Sequence, residues 1–489
     1  MLQKLGLGVF AMLQVAAPSI ESRTPSQRVE AFVAAVNAGS EAALRQFVEA
    51  NYAKSALAQT PAGPRVERLA GLAGEEAPLE LKTTREATPQ GVAFVVRSKK
   101  SGRWLEIRLD LEPEPPRGIV GVGVQMTDAS AVEAEPPLSS DDDAAKAADA
   151  ALSALAREDR FSGVVLMARS GRPFFEKAYG MADRERGVAN TTGTRFDIGS
   201  INKAFTQVAI AQLAAAGKLS LSDTIRRRLP GDPLASTEAG DITILQLVNM
   251  TSGLGDVFGE GYEEAAPRLM TLADFERLFA GKPLEFPPGK GRRYSNAGYI
   301  VLGLIIERVS GQSYDDYVRE HVFVPAGMTA TAPSVRGAPT TGRAIGYTRE
   351  SGGAALHPNT ATLPGRSSSA GGGLSTARDL LAFDRALAGG NLLPPSWTAW
   401  ISSDKSAPPG EAETGAAPAA SAVRAPGSAG LGIAGGSSGV NASLESDNGR
   451  GYTLVVLANL DPPAAESVAS RFRRWLKGIG PAGSPDKKS

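Results

Sequence analysis

Residues 196–223 read FDIGSINKAFTQVAIAQLAAAGKLSLSD, and this stretch decides the fold. Ile201, Phe205, Val208 and Leu213 fall on one face of a helix, and Gly217 is a natural C-terminal stop. Ser200 stands where that helix begins, among free backbone N–H groups and at the positive end of the helix dipole, both of which favour a developing negative charge. Lys203 follows three residues later on the same face of the first turn, within reach of the Ser200 hydroxyl. A desolvated lysine there can lose its proton and activate the serine. The spacing alone is weak, because Ser402-x-x-Lys405 and Ser484-x-x-Lys487 repeat it beside or in Pro/Gly-rich stretches. Position singles out Ser200: it opens an apolar helix after a β-rich hairpin.

A second stretch, 287–328, reads PPGKGRRYSNAGYIVLGLIIERVSGQSYDDYVREHVFVPAGM. Tyr294-Ser295-Asn296 closes an irregular Gly-rich segment just before a strongly apolar helix. A tyrosinate or a lysine-coupled phenol can shuttle a serine proton, and an asparagine amide can hold both lysine and substrate. A tyrosine packed at a helix start with an asparagine capping it accounts for the same letters.

Upstream of Ser200, FSGVVLMARSGRPFFEKAYG (161–180) reads as two β-rich runs joined at Ser170-Gly171-Arg172-Pro173, preceded by an Ala-rich helix over 144–157. Far downstream, Tyr452 to Asn459 is a strand and Ala464 to Lys477 a helix. The expected architecture is an antiparallel sheet assembled from both ends of a domain, 143–480, around a helical middle. Residues 405–430 are low-complexity, and 481–489 form a tail.

Before this domain, Val29, Phe32, Val33 and Val36 recur at helical spacing up to Asn37-Ala38-Gly39, and a second helix carries Leu44, Phe47 and Val48. Extended runs follow: Leu79 to Leu81, Gly91 to Arg97, Trp104 to Leu111 and Ile119 to Met126. Helices followed by a meander predict a small α+β domain over 24–126. It resembles the ketosteroid-isomerase-like cone fold in pattern, without a paired acid and base, and suits a binding or spacer module. The acidic, Pro/Ser-containing stretch 127–142 reads as a linker.

A chain of 489 residues suits two domains, and 42% hydrophobic with 21% charged residues is globular composition. Lys plus Arg equals Asp plus Glu, 52 each, so no whole-chain field draws in nucleic acid or anionic membrane. With no cysteine, disulfides, thiolate zinc sites and a thiol nucleophile are excluded. His321 and His357, the two histidines, lack metal-ligand spacing, so no metal is expected. The run Leu5–Ala17 has the length of a signal-peptide apolar core and is too short to span a bilayer. A signal peptide over 1–19 and a secreted or periplasmic protein are expected, although Pro18 after Ala16-Ala17 makes a poor cleavage site.

The chain from Phe161 to about Pro463 resembles the β-lactamase-related serine hydrolases, a family of class C β-lactamases, D-Ala-D-Ala peptidases and family VIII esterases. The resemblance is carried, in order, by FSGVVLMARSGRPFFEKAYGMAD, TRFDIGSINKAFT, ITILQLVNMTSGL, YSNAGYIVLGLIIERVSG, YVREHVFVPAGM, SAGGGLSTARDLLAF and GYTLVVLANLD. It implies a β-lactamase/transpeptidase-like α+β domain, an antiparallel sheet flanked by helices with the site between sheet and helical lobe. It also implies Ser200 as acylated nucleophile, Lys203 and Tyr294 as the proton-transfer pair, and Asn296 as an orienting residue. Oxyanion donors are expected on the backbone of Ser200 and Ser437, with Gly436 beside them. No cofactor is implied, and the partner is a small ester, amide or peptide substrate.

Two departures mark this chain. The family's third motif places Lys or His before a Thr/Gly-Gly on the strand lining the site; here that strand reads Ile433-Ala434-Gly435-Gly436-Ser437, with Ala434 taken as the basic position. Loss of a cation there weighs against β-lactam and peptide-carboxylate recognition more than against ester cleavage, with Arg366 a candidate to fill the space. Met250 stands where relatives usually carry His, a structural position. Gly435-x-Ser437-x-Gly439 spells an α/β-hydrolase elbow, but that needs strand–turn–helix and a later histidine, which the chain lacks. Ser446-Asp447-Asn448 reads as a turn. The expectation is an acyl-enzyme hydrolase, carboxylesterase before D-amino-acid or D-Ala peptidase before β-lactamase. The rivals are a non-catalytic binding or regulatory protein, motivated by Ala434, and a ligand pocket in 24–126.

Overall fold

The computed structural model describes residues 24–115, 117–132, 136, 138–349, 355–402, 405 and 430–479. The leader over 1–19, the tail over 481–489 and residues 406–429 of the low-complexity stretch lie outside the described residues. The chain divides into two compact units, one ending in Ile107–Val124 and one that takes up Arg103–Glu106 and runs on from Gln125.

The first unit opens with helices Pro25–Ala38 and Glu41–Asn51. Thr24 and Gln27 cap the first reciprocally, and Gly39 ends it at φ 63°, a left-handed conformation that costs glycine nothing. Two further helices, Lys54–Gln59 and Ala62–Glu76, were not expected from a segment rich in Pro and Gly. Pro61 and Pro64 sit at the helix start, where a missing N–H costs nothing, and Gly71 and Gly74 have open space where a side chain would be. Val66, Leu69 and Ala73 supply the buried face. A four-stranded antiparallel meander follows: Leu79–Thr88, Gly91–Ser98, Trp104–Leu111 and Ile119–Thr127. The first strand runs seven residues past Leu81; irregularities at Leu81/Thr83 and Thr84/Glu86 break the alternation that would have announced it. Phe32 packs edge-on to both Phe47 and Phe94, at 5.7 Å each.

In the second unit, helix Asp141–Arg157 starts three residues before the Ala-rich run, inside the expected linker. Ser140 accepts from the Asp143 N–H, and three aspartates in the first turn complement the dipole, so acidic residues that read as linker are helix cap. The sheet has five antiparallel strands in the order Gly432–Ser437, Val440–Asp447, Tyr452–Ala458, Gly163–Arg169 and Arg172–Tyr179. Ser170 and Gly171, both at positive φ, make the tight turn of the last hairpin. The two ends of the unit therefore meet in mid-sheet, where Leu454 lies opposite Met167 and Val456 opposite Val165.

Strand Gly163–Arg169 is apolar from Val164 to Ala168, and those residues are buried on both faces. Val165 and Met167 face Leu152, Val468, Phe472 and Trp475 from the first and last helices of the unit. Val164 and Leu166 face the helical middle, including Phe205, Val208, Leu380 and Phe383. Each such aliphatic side chain contributes about 1.5–3 kcal/mol on burial. This packing fixes the helix Asn202–Ala215 against the sheet, and with it the start of that helix at Ser200.

Candidate active site

Ser200 lies in a single tight turn, Gly199–Ile201, that leads directly into Asn202–Ala215. The turn is held from several sides. Asp197 accepts from the Gly199 N–H at 2.9 Å, Gly372 donates to the Gly199 carbonyl at 3.1 Å, and Asn202 donates to the Ser368 carbonyl at 2.6 Å. Lys203 follows in the first helical turn, and its side chain is almost wholly buried, 4% exposed.

Tyr294 and Asn296 arrive from the start of helix Asn296–Ser310. The cap of that helix is Ser295, which accepts from the Gly298 N–H at 3.0 Å and donates to the Gly255 carbonyl at 3.1 Å. Asn296 is thus released from capping and turns to the site. Its Oδ1 accepts from Lys203 Nζ at 2.7 Å. Tyr294 places its hydroxyl 2.5 Å from Ser200 Oγ, while 49% of the residue stays exposed. Ser200, Lys203, Tyr294 and Asn296 form one hydrogen-bonded cluster, in which Ser200 meets Tyr294 across 94 residues of chain and Lys203 meets Asn296 across 93.

Lys203 Nζ donates to three acceptors: Ser200 Oγ at 3.1 Å, Asn296 Oδ1 and the Ala370 carbonyl. Three acceptors match the three hydrogens of an ammonium. In the free amine, two N–H groups satisfy the amide and carbonyl oxygens, and the lone pair is left for Ser200. Burial pulls the Lys203 ammonium down to about 7, with the Asp256 carboxylate opposing. Tyr294 moves the other way: desolvation of its phenol raises it, the Ser200 hydrogen bond opposes, and Asp256 adds to the rise. The lysine, and not the phenol, is therefore the group that loses its proton near neutrality.

Strand Gly432–Ser437 runs along the Ser200 turn as the free edge of the sheet. A Cβ on Gly435 would sit 2.2 Å from the Ile198 carbonyl oxygen and 2.7 Å from the Ser200 nitrogen, so only glycine fits. A Cβ on Gly436 would instead meet Pro462 and Asn441, on the opposite face. The strand pairs without irregularity from Gly432 to Ser437. With strict alternation, the side chain that shares Gly435's face is Ile433, and Ala434 lies on the other. The site-facing position is an isoleucine, which corrects the register expected from the glycine-rich letters.

The same register corrects the oxyanion donor. Ser437 faces Val440 across a two-residue turn, the closing pair of the hairpin, so its N–H is directed at the partner strand. Gly436 is next in alternation, and its N–H points off the free edge toward the Ser200 turn. A Cβ on Gly199 would lie 3.0 Å from the Gly436 nitrogen, which places the two backbones side by side. Backbone N–H groups of Ser200 and Gly436 can together receive an oxyanion.

Arg366 does not fill the space near the strand: its Nε and Nη2 bind Asp315 at 2.7 and 2.6 Å. Met250 has φ 59° at a helix end, and its carbonyl accepts from the Arg293 N–H beside Tyr294, a backbone role. Ser437-Ser438-Gly439 is strand–turn–strand, and Asp447 accepts from Arg450 in a turn, so neither alternative serine motif has its required context. His321 lies against Tyr317 with ring centres 4.3 Å apart and planes tilted by 35°, and His357 lies on a two-stranded ribbon. Among the described residues no three His, Cys, Asp or Glu side chains converge as metal ligands, and no helix is long and apolar enough to cross a membrane.

Sequence reasoning missed two participants. Asp256 accepts from Asn296 Nδ2 with both oxygens, each at 3.0 Å. Ala370 supplies a carbonyl to Lys203. The glycine run after Ala370 was a signal for close backbone approach; nothing in GLGDVFG marks Asp256.

A family model described as Beta-lactamase matches residues 148–478. Penicillin-binding protein 4* of Bacillus subtilis (strain 168) is 33% identical over 180 residues, 36% of this chain and 39% of that protein, so the match spans about two fifths of the relative's length. The crystal structure of a penicillin binding protein from Bacillus halodurans superposes with a TM-score of 0.56 at 28% identity, over 66% of this chain and 99% of that one. A D-amino acid amidase from Ochrobactrum anthropi SV3, complexed with L-phenylalanine amide, shares the fold at 23% identity and a TM-score of 0.55, over 69% of this chain and 98% of that one.

Proposed function

Because the chain belongs to the Beta-lactamase family and has its β-lactamase/transpeptidase-like fold of antiparallel sheet and helices, we propose that it is a serine hydrolase that forms an acyl-enzyme at Ser200. One observation carries the reading: Ser200 Oγ lies between the Tyr294 hydroxyl at 2.5 Å and the Nζ of a buried Lys203 at 3.1 Å.

Ser200 attacks the substrate carbonyl and its proton passes to the lone pair of neutral Lys203. The oxyanion forms against the N–H groups of Ser200 and Gly436. Tyr294, neutral at rest, gives its proton to the leaving group, and the new Lys203 ammonium, 4.8 Å from the centre of its ring, stabilises the tyrosinate. In the second half, water attacks the acyl group and returns a proton to Tyr294. Lys203 gives its proton back to the departing Ser200 oxygen. Protons balance, and Asn296 holds the lysine throughout.

The substrates are small esters or amides. Carboxylesters rank first, D-amino-acid amides or D-Ala peptides second, and β-lactams last, because Ile433 puts no cation on the site face of the strand. That same isoleucine is the observation that favours the rival, a binding protein that acylates without turning over. From the leader-like letters of residues 1–19 we also infer a secreted or periplasmic location, which cell fractionation tests. Steady-state hydrolysis of p-nitrophenyl acetate by wild type and Ser200→Ala tests the reading as a whole. Turnover that vanishes with the serine supports an enzyme; a single stoichiometric burst supports the rival; equal rates remove Ser200 from the chemistry.

A further inference from the structure

The carboxylate behind Asn296 has no role in the steps above, yet the surrounding chain is built to hold it still. Gly253 turns at φ 80° where a Cβ would lie 2.0 Å from the Phe286 carbonyl oxygen, and its own carbonyl accepts from the Glu285 N–H at 2.8 Å. The Gly255 carbonyl is tied to Ser295. Asp256 Oδ1 accepts from the Val257 and Phe258 N–H groups, at 2.6 and 3.3 Å. A carboxylate fixed by its own backbone then receives Asn296 Nδ2 on both oxygens.

We propose that Asp256 is a positioning residue that locks the Asn296 amide with its oxygen toward Lys203 and places a fixed negative charge behind the lysine. The proposal rests on the acyl-transfer reading of Ser200 and Lys203. An amide turned the other way would set Oδ1 against the carboxylate and NH₂ against the lysine, unfavourable on both sides. With Oδ1 facing Lys203, and the Ala370 carbonyl on a second side, the lone pair of the free amine has one place to go, toward Ser200. The other groups around Nζ are neutral: Ser200, Asn296, the Ala370 carbonyl and the rings of Tyr294 and Tyr299, at 4.8 and 5.4 Å. Asp256 is the charge that acts against desolvation of the lysine. It keeps the base strong enough to take a serine proton while burial keeps it deprotonated near neutrality.

The test reads the lysine directly, without substrate. The ¹³Cε resonance of Lys203, assigned by its loss in Lys203→Ala, is titrated in wild type, Asp256→Asn and Asp256→Glu. Asparagine keeps one acceptor oxygen for Asn296, removes the charge and sets an NH₂ in place of the second oxygen. The midpoint falls by about one pH unit in Asp256→Asn, the low end for loss of an opposite charge near a buried group, and returns toward wild type in Asp256→Glu. The acid limb of kcat/KM for p-nitrophenyl acetate moves with it. Asp256→Ser, neutral and smaller, carries the same expectation if the asparagine variant does not fold. An unchanged midpoint in a folded neutral variant overturns the proposal. Hydrolysis that survives in Ser200→Ala would sink the hydrolase reading instead, and the resonance would still report on Asp256.

Discussion

Lys203 reaches Asn296 at 2.7 Å, and the amide that receives it comes from a helix whose cap is its neighbour, Ser295. The division of labour matters. Had Asn296 capped its own helix, Lys203 would have faced Ser200 with one oriented partner fewer and nothing to link it to Asp256.

Lys203 as proton acceptor fixes the sign of the pH response. A lysine lowered to about 7 is protonated below that value and unable to take the serine proton. The rate constant kcat/KM therefore rises with pH through about 7 and levels off above it. Lys203→Arg, permanently charged, loses about 10²–10⁴ in kcat/KM on the plateau above 7, the usual worth of a general base, and the gap narrows at lower pH as wild type loses its free amine. A pH profile of ester hydrolysis for both proteins checks this.

Tyr294 as proton donor to the leaving group separates substrates. p-Nitrophenolate leaves without protonation, so Tyr294→Phe costs such an ester about tenfold or less in kcat/KM, which reports acylation alone. An amide must be protonated to leave, and the same change costs it about 10²–10³. Comparing the two substrate types in one variant gives the ratio.

Ile433 shares the site face with Gly435, so a cation placed there should meet the substrate. Ile433→Lys raises kcat/KM for a carboxylate-bearing ester relative to its neutral counterpart by about tenfold, the worth of one charge-assisted contact of roughly 1.4 kcal/mol. Ala434→Lys, on the opposite face, leaves the ratio unchanged. Competition between the paired esters measures it.

How much of this was legible depended on pattern. Ser200 and Lys203 were readable because three residues span one helical turn, and Tyr294 and Asn296 because they stop just before an apolar helix. The strand Ile433–Ser437 was placed correctly but its faces were not: Ala, Gly, Gly and Ser carry no hydrophobic alternation to show which side looks inward. Register came from sterics, the lack of room for a Cβ at Gly435. Asp256 was invisible because a single carboxylate in a Gly-rich loop has no period. Helix Ala62–Glu76 was hidden by prolines and glycines that are harmless at its start and on its open face.

The helix that follows Ser200 is held by aromatic packing, which predicts a stability cost remote from the site. Phe205 lies edge-on to Phe323 and Phe383, at 5.0 and 4.9 Å, fully buried. Phe205→Ala destabilises the second unit by about 3–5 kcal/mol through lost transfer energy and a cavity. Thermal unfolding followed by circular dichroism reads the shift, and activity at low temperature survives in the fraction that remains folded.

The most direct measurement is the mass of the protein after rapid quench with p-nitrophenyl acetate, followed by peptide mapping. The account predicts an acetyl group on the peptide that contains Ser200, present in wild type and missing in Ser200→Ala. An adduct on another residue, or an equal adduct in both proteins, would contradict it.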